Sequence, residues 1–140
     1  MLSMNLCGKL IYILLQKPHL VPGTVAATIE ATLEADKRYA QSHLADNIAN
    51  GYKHAAWNVL IAYYAQYFYK SPEDATHWAK KITDMHEACF PNEAADRQMD
   101  LDNNLIGREL YLRLFKENQK RPHKKTLLNQ IEKQDLKTLT

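Results

Sequence analysis

The chain has 140 residues, a length that suits one domain with one hydrophobic core. Apolar residues make up 46% and charged residues 24%, the balance of an ordinary globular chain, and a net charge of +2 is too small to argue for nucleic acid on bulk charge. Two cysteines, Cys7 and Cys89, fit no CxxC metal pattern and cannot build a disulfide framework; both are expected as small buried hydrophobes, not as ligands or a bridge. With 4 glycines, 5 prolines and few β-branched runs, the composition favours an all-α fold, a compact bundle of five or six helices.

In chain order, residues 2–16 predict a first helix, strongly apolar and central. The run Leu10 to Leu15 after Lys9 is too short to span a bilayer, and no small-residue cleavage site follows it. It is therefore expected in the core, in a protein that is cytoplasmic or exported without a cleaved signal. Pro18, Pro22 and Gly23 break this helix. Thr24 is expected to cap a second helix to about His43, with Val25, Ile29, Thr32, Leu33, Asp36, Tyr39 and Ala40 as its stripe. A pause at Ala45 to Asn47 precedes a third helix, about 47–69, apolar nearly all round and so placed at the centre. Ser71, Pro72 and Asp74 form a strong start signal for a fourth helix, 72–89. Its apolar face runs through Ala75, Trp78, Ala79, Ile82, Met85 and Cys89. Residues 91–98 read as a loop and 99–118 as a fifth helix. From about 119 a basic tail carries a thin stripe, Leu127, Leu128, Ile131 and Leu136, fit for a sixth helix docked at the edge. No transmembrane segment is expected. The tail offers at most a weak contact with anionic surfaces.

Polar residues interrupt these apolar elements in a pattern. Asp100, Asn103, Asn104 and Gly107 sit at i, i+3, i+4 and i+7, on the face that continues as Leu110, Tyr111 and Leu114. That whole face is expected to turn inward. Asn47, Asn50, His54 and Asn58 form a second polar stripe on the third helix. Thr83, Asp84, His86 and Glu87 crowd the end of the fourth. Buried carboxylates and amides must find hydrogen bonds, so the three stretches are expected to supply one another. Such a set can hold a metal, run acid–base hydrolysis, or close into a structural network. His86-Glu87 is no HExxH motif, because the second histidine would fall on Phe90.

Three segments carry a resemblance: Tyr52-Lys53-His54-Ala55-Ala56-Trp57-Asn58, Thr83-Asp84-Met85-His86-Glu87, and Met99-Asp100-Leu101-Asp102-Asn103-Asn104-Leu105-Ile106-Gly107-Arg108. They resemble, in order and spacing, the RHAxWN, DAHE and MDLxNNxxGR blocks of an uncharacterised bacterial helical domain, a domain of unknown function. The resemblance covers about residues 45–115 and leaves out the first helices and the tail. This chain departs from the pattern at Lys53, where arginine is usual, and at Asp102. Lysine lacks the bidentate fork of arginine. The resemblance implies a shared site in small secreted or cell-associated proteins and implies no particular activity.

The leading expectation is a small hydrolase-like bacterial domain, a toxin or effector. His54, His86, Glu87 and Asp100 are its candidate catalytic residues. Asn58, Asn103, Asn104 and Arg108 are candidates to orient substrate or stabilise negative charge. The candidate cofactor is a divalent metal such as zinc, with His54, Asp84, His86, Glu87 and Asp100 as candidate ligands. The alternative is a non-enzymatic helical binding module whose polar cluster is a structural hydrogen-bond network.

Overall fold

The computed structural model describes residues 2–40, 46–90 and 92–138. Six α-helices follow in order: α1 (Leu2–Gln16), α2 (Val21–Tyr39), α3 (Asp46–Ala65), α4 (Pro72–Cys89), α5 (Ala94–Asn118) and α6 (Lys124–Ile131), with 3₁₀ turns at Pro18–Leu20 and Gln66–Phe68. The fold is all-α, and no strand occurs among the described residues. None of the described helices is long and apolar enough to cross a membrane. The expected pause at Ala45, the second helix's end near His43, Pro91 and the side chain of Asn47 lie outside the described residues.

Helix α3 is the centre, as its all-round apolar sequence predicts. It packs against α2, α4, α5 and α6, and buries Tyr52, Ala55, Ala56, Val59, Leu60 and Ile61. Helix α5 crosses it at a very close approach. A Cβ on Gly107 would stand 2.3 Å from the Ala55 carbonyl oxygen, so only glycine lets the two backbones meet. The inward face of α5 is the expected one, from Asp100 through Asn103, Asn104 and Gly107 to Leu110, Tyr111 and Leu114. Ser71 caps α4 as its sequence signals, accepting from the Asp74 amide (3.1 Å).

Five expectations are corrected. Helix α2 starts at Val21, and Thr24 does not cap it; the Thr24 hydroxyl donates to the Leu20 carbonyl (2.8 Å) and accepts from Trp78 Nε1 (3.0 Å). The buried face of α2 is Thr24, Ala27, Ala31 and Ala35, while Val25, Ile29 and Leu33 are exposed. Small side chains let α2 lie close on α3, and closeness outweighs the larger residues' hydrophobicity here. Helix α5 begins at Ala94, so most of the expected loop 91–98 is helical; Ala94, Ala95, Arg97 and Gln98 are good helix formers. Helix α1 lies at the edge, not the centre. It packs on α4 and the first 3₁₀ turn through Leu10, Ile13 and Leu14, and leaves Ile11, Tyr12 and Leu15 exposed.

The fifth correction concerns the cysteines. Cys7 and Cys89 form a disulfide, with Cα atoms 4.9 Å apart across a sequence separation of 82. Docking of α1 on the end of α4 brings them together, so the pair staples the peripheral helix to the bundle. The tail docks as expected, with Leu127, Leu128 and Ile131 buried. Two of its cations are engaged: Lys124 bonds Glu30 and Tyr64, and the Arg121 guanidinium lies 3.6 Å over the Tyr63 ring.

Candidate functional site

Helices α3, α4 and α5 each bring polar side chains to one buried region. Asn58 stands at its middle. Its neighbour Arg108 fixes how everything else is oriented, because a guanidinium can only donate. Arg108 Nη1 donates to Asn58 Oδ1 (2.9 Å) and reaches Thr83 Oγ1 at 3.4 Å. With its oxygen so placed, Asn58 turns its amide nitrogen the other way. Nδ2 donates to the His54 carbonyl (2.9 Å) and to Asn104 Oδ1 (2.8 Å). The Thr83 hydroxyl has one proton for Asn58 Oδ1 (3.2 Å) or the Ala79 carbonyl (2.9 Å).

The relay then reaches an imidazole. Asn104 Oδ1 lies 3.1 Å from His54 Nδ1, and since that oxygen is an acceptor, Nδ1 must carry a proton. Across the ring, His54 Nε2 lies 3.3 Å from Asp100 Oδ1, which also accepts from Asn50 Nδ2 (2.8 Å). Burial pulls the His54 pKa below the usual histidine value, against the pull of Asp100, Glu87 and Asn104. Burial also pushes Asp100 above the usual carboxylate value, against His54 and Asn50. Both shifts favour the neutral forms over a full ion pair.

Glu87 completes the cluster and is the anomaly in it. Its carboxylate is only 5% exposed, yet Oε1 has no hydrogen-bond partner. It lies 3.6 Å from His54 Nδ1 and 3.8 Å from His86 Nδ1, beyond hydrogen-bond length to either. His86 Nδ1 and Asn104 Nδ2 are likewise buried and without a partner. One donor atom each from His54, Glu87 and Asp100 lie within 4.8 Å of one another. This set of one nitrogen and two carboxylates is fit to bind a cation.

A cavity of about 160 Å³ abuts the cluster. Thr28 and Thr32 of α2, Lys53, His54 and Trp57 of α3, and His86 of α4 line it. Trp57 packs edge-on against both imidazoles, its ring 4.9 Å from that of His86 and 6.3 Å from that of His54. Trp57 is itself held by Nε1 donating to Thr28 Oγ1 (2.9 Å).

The expected site residues therefore divide. His54, Glu87, Asp100, Asn58 and Asn104 come together, and His86 joins them while remaining 40% exposed. Arg108 is buried in the relay, with Nη1 committed to Asn58 and within reach of Thr83. Asn103 is turned to the tail, where its amide exchanges two bonds with the Lys137 backbone (2.9 and 2.8 Å). Asp84 points away and pairs with Lys80 on the surface. Lys53, Thr28 and Thr32 are cavity residues that the sequence reading did not place in the site. Helical spacing gives a signal for Lys53, adjacent to His54, but none for the two threonines, whose role depends on how α2 docks.

A family model described as a domain of unknown function (DUF6973) matches residues 11–135. The match extends past the expected 45–115 and takes in α2, which lines the cavity, and the tail as far as residue 135. No curated protein and no solved structure matches the chain.

Proposed function

We propose a hydrolytic role for this chain, which belongs to the DUF6973 family, a domain of unknown function. The observation that carries the reading is the unpartnered Glu87 Oε1 beside two imidazoles that themselves line a cavity. A buried charge without a partner is costly, and such cost is kept where the group is used. Glu87, His54 and His86 would activate a water molecule against a bond presented in the cavity. Asp100 would hold His54, and Lys53 would offset negative charge developing on the substrate. The Arg108, Asn58 and Asn104 relay would keep His54 in one orientation without touching substrate. A disulfide persists in oxidising compartments, so the Cys7–Cys89 bridge supports the exported form of the protein and suits a released effector.

One observation favours the non-enzymatic alternative. The Arg108 end of the relay is satisfied in the way a purely structural network would be. Hydrolysis of ester, phosphoester and peptide probes by the oxidised wild type and by His86→Ala separates the two readings. The hydrolytic reading expects at least a hundredfold loss on one probe class, with the variant still folded. Equal rates for both proteins on every probe would overturn it in favour of the structural network.

A further inference from the structure

The relay leaves two acceptors face to face. Arg108 orients Asn58, Asn58 orients Asn104, and Asn104 Oδ1 takes the hydrogen of His54 Nδ1. The other ring nitrogen, Nε2, then has a lone pair to offer, and Asp100 Oδ1 stands 3.3 Å from it. That oxygen already accepts from Asn50 Nδ2 (2.8 Å). Two acceptors this close need something positive between them, a proton or a metal ion. Glu87 tells the two apart. Its Oε1 is buried without a partner, and a proton between Nε2 and Asp100 does nothing for it. A cation shared by the three residues satisfies it as well.

The donor set fits an ion. One donor atom each from His54, Glu87 and Asp100 lie within 4.8 Å of one another, and all three residues are buried. Imidazole nitrogens and carboxylate oxygens bind zinc at about 2.0–2.2 Å, which places neighbouring tetrahedral ligands roughly 3.4 Å apart. The 3.3 Å edge from Nε2 to Asp100 already has that spacing. Glu87 Oε1 has no hydrogen bond to hold it back, so a side-chain rotation can close it on the ion. The bond from His54 Nδ1 to Asn104 Oδ1 is the outer contact that fixes the tautomer of a metal-bound histidine and leaves its second nitrogen free to ligate. His54 also lines the cavity, so the site adjoins the space open to substrate.

We infer that His54 Nε2, Glu87 and Asp100 bind one zinc ion, with Asn104 fixing the His54 ring from Nδ1. The ion takes the place of the proton between Nε2 and Asp100, which leaves to solvent, and the two carboxylates offset the charge of the ion. The inference rests on reading this cluster as the reactive centre, and binding is measured without turnover, so either can fail alone.

The test uses the full chain without a histidine tag, stripped with EDTA and then dialysed free of it. It stays oxidised, so that Cys89, on the same helix end as Glu87, offers no thiolate. Calorimetric titration with zinc, plus elemental analysis after gel filtration, should give one ion per chain. Glu87→Gln and Asp100→Asn each remove a ligand, and should weaken binding by more than the roughly 10- to 100-fold that loss of an outer partner costs. Asp84→Asn removes a carboxylate from the same helix, but one that pairs with Lys80 on the surface, and should bind zinc as the wild type does. Circular dichroism of the ion-free variants confirms that they are folded, and Glu87→Gln decides if Asp100→Asn is not. No ion on the wild type, equal affinity in wild type and Glu87→Gln, or an equal loss in Asp84→Asn overturns the inference. Stoichiometric binding without hydrolysis of any probe would keep the metal site and remove the hydrolytic reading. Hydrolysis without binding would do the reverse.

Discussion

The two ends of the buried relay are built from similar residues and behave differently. At the Arg108 end, donors and acceptors match: a guanidinium that can only donate meets Asn58 Oδ1, and Asn58 passes its own donors on to Asn104 and the His54 carbonyl. At the Glu87 end the matching fails: Glu87 Oε1, His86 Nδ1 and Asn104 Nδ2 are buried and without a partner. Burial is comparable, since Arg108 is 7% and Glu87 4% exposed. The difference lies in satisfaction, not in depth. A matched end stabilises the fold, and an unmatched end waits for something to arrive. Substitutions at the two ends should therefore differ in size and even in sign.

The largest effect should come from the position that brings the two ends together. Gly107→Ala places a methyl 2.3 Å from the Ala55 carbonyl oxygen and 2.9 Å from its Cα, and both are backbone atoms that no rotamer change can move. Alanine gains about 1 kcal/mol in helix propensity over glycine. Overpacking of backbone on backbone exceeds that gain, and the net loss should be roughly 3 kcal/mol. Urea unfolding followed by circular dichroism measures it. A loss below about 1 kcal/mol would mean that α5 can stand off from α3 without breaking the relay, and the comparison of its two ends would lose its frame.

Next in size is the matched end itself. Arg108→Met keeps most of the buried stem and removes the donors, leaving Asn58 Oδ1 with only the shared Thr83 proton. A buried acceptor deprived of a charged donor costs about 2 kcal/mol. The same unfolding measurement applies. Amide exchange should also quicken around Asn58 and Asn104 before it does in α6, which packs elsewhere on α3 and α5.

Much of this contrast was legible along the chain, but not its polarity. The spacing of Asp100, Asn103, Asn104 and Gly107 marks one inward face, and the structure buries all four. The stripe of His54 and Asn58 on an otherwise apolar helix marks the second wall. Other features needed the tertiary arrangement. Which of Asn103 and Asn104 meets Asn58 depends on a tail more than 30 residues away, since Asn103 is taken by Lys137. Asp84 and Glu87 share a helix end; Asp84 pairs with Lys80 one turn back on the same helix, and only docking turns Glu87 inward. The face of α2 misled for a physical reason: Val25, Ile29 and Leu33 carry the hydrophobicity, while Ala27, Ala31 and Ala35 carry the close packing. The disulfide joins residues 82 apart, and nothing local announces that α1 ends against α4.

The unmatched end gives the smallest expected effect and the sharpest test of the comparison. Glu87→Gln keeps the shape of the side chain, replaces the buried carboxyl with an amide and adds two donors beside the unpartnered His86 Nδ1. The new amide can donate to His86 Nδ1, which has no partner in the wild type. Ion-free stability should therefore change by no more than about 1 kcal/mol, and a gain is as natural as a loss. The contrast with Arg108→Met is the point, because both changes touch one cluster at similar depth. Thermal unfolding with added zinc then separates the proteins further. At a zinc concentration near a hundred times Kd, the wild type should gain about 2.7 kcal/mol and the variant almost nothing. A Glu87→Gln protein destabilised as much as Arg108→Met would show that Glu87 is already satisfied in the native state. Both ends of the relay would then be structural.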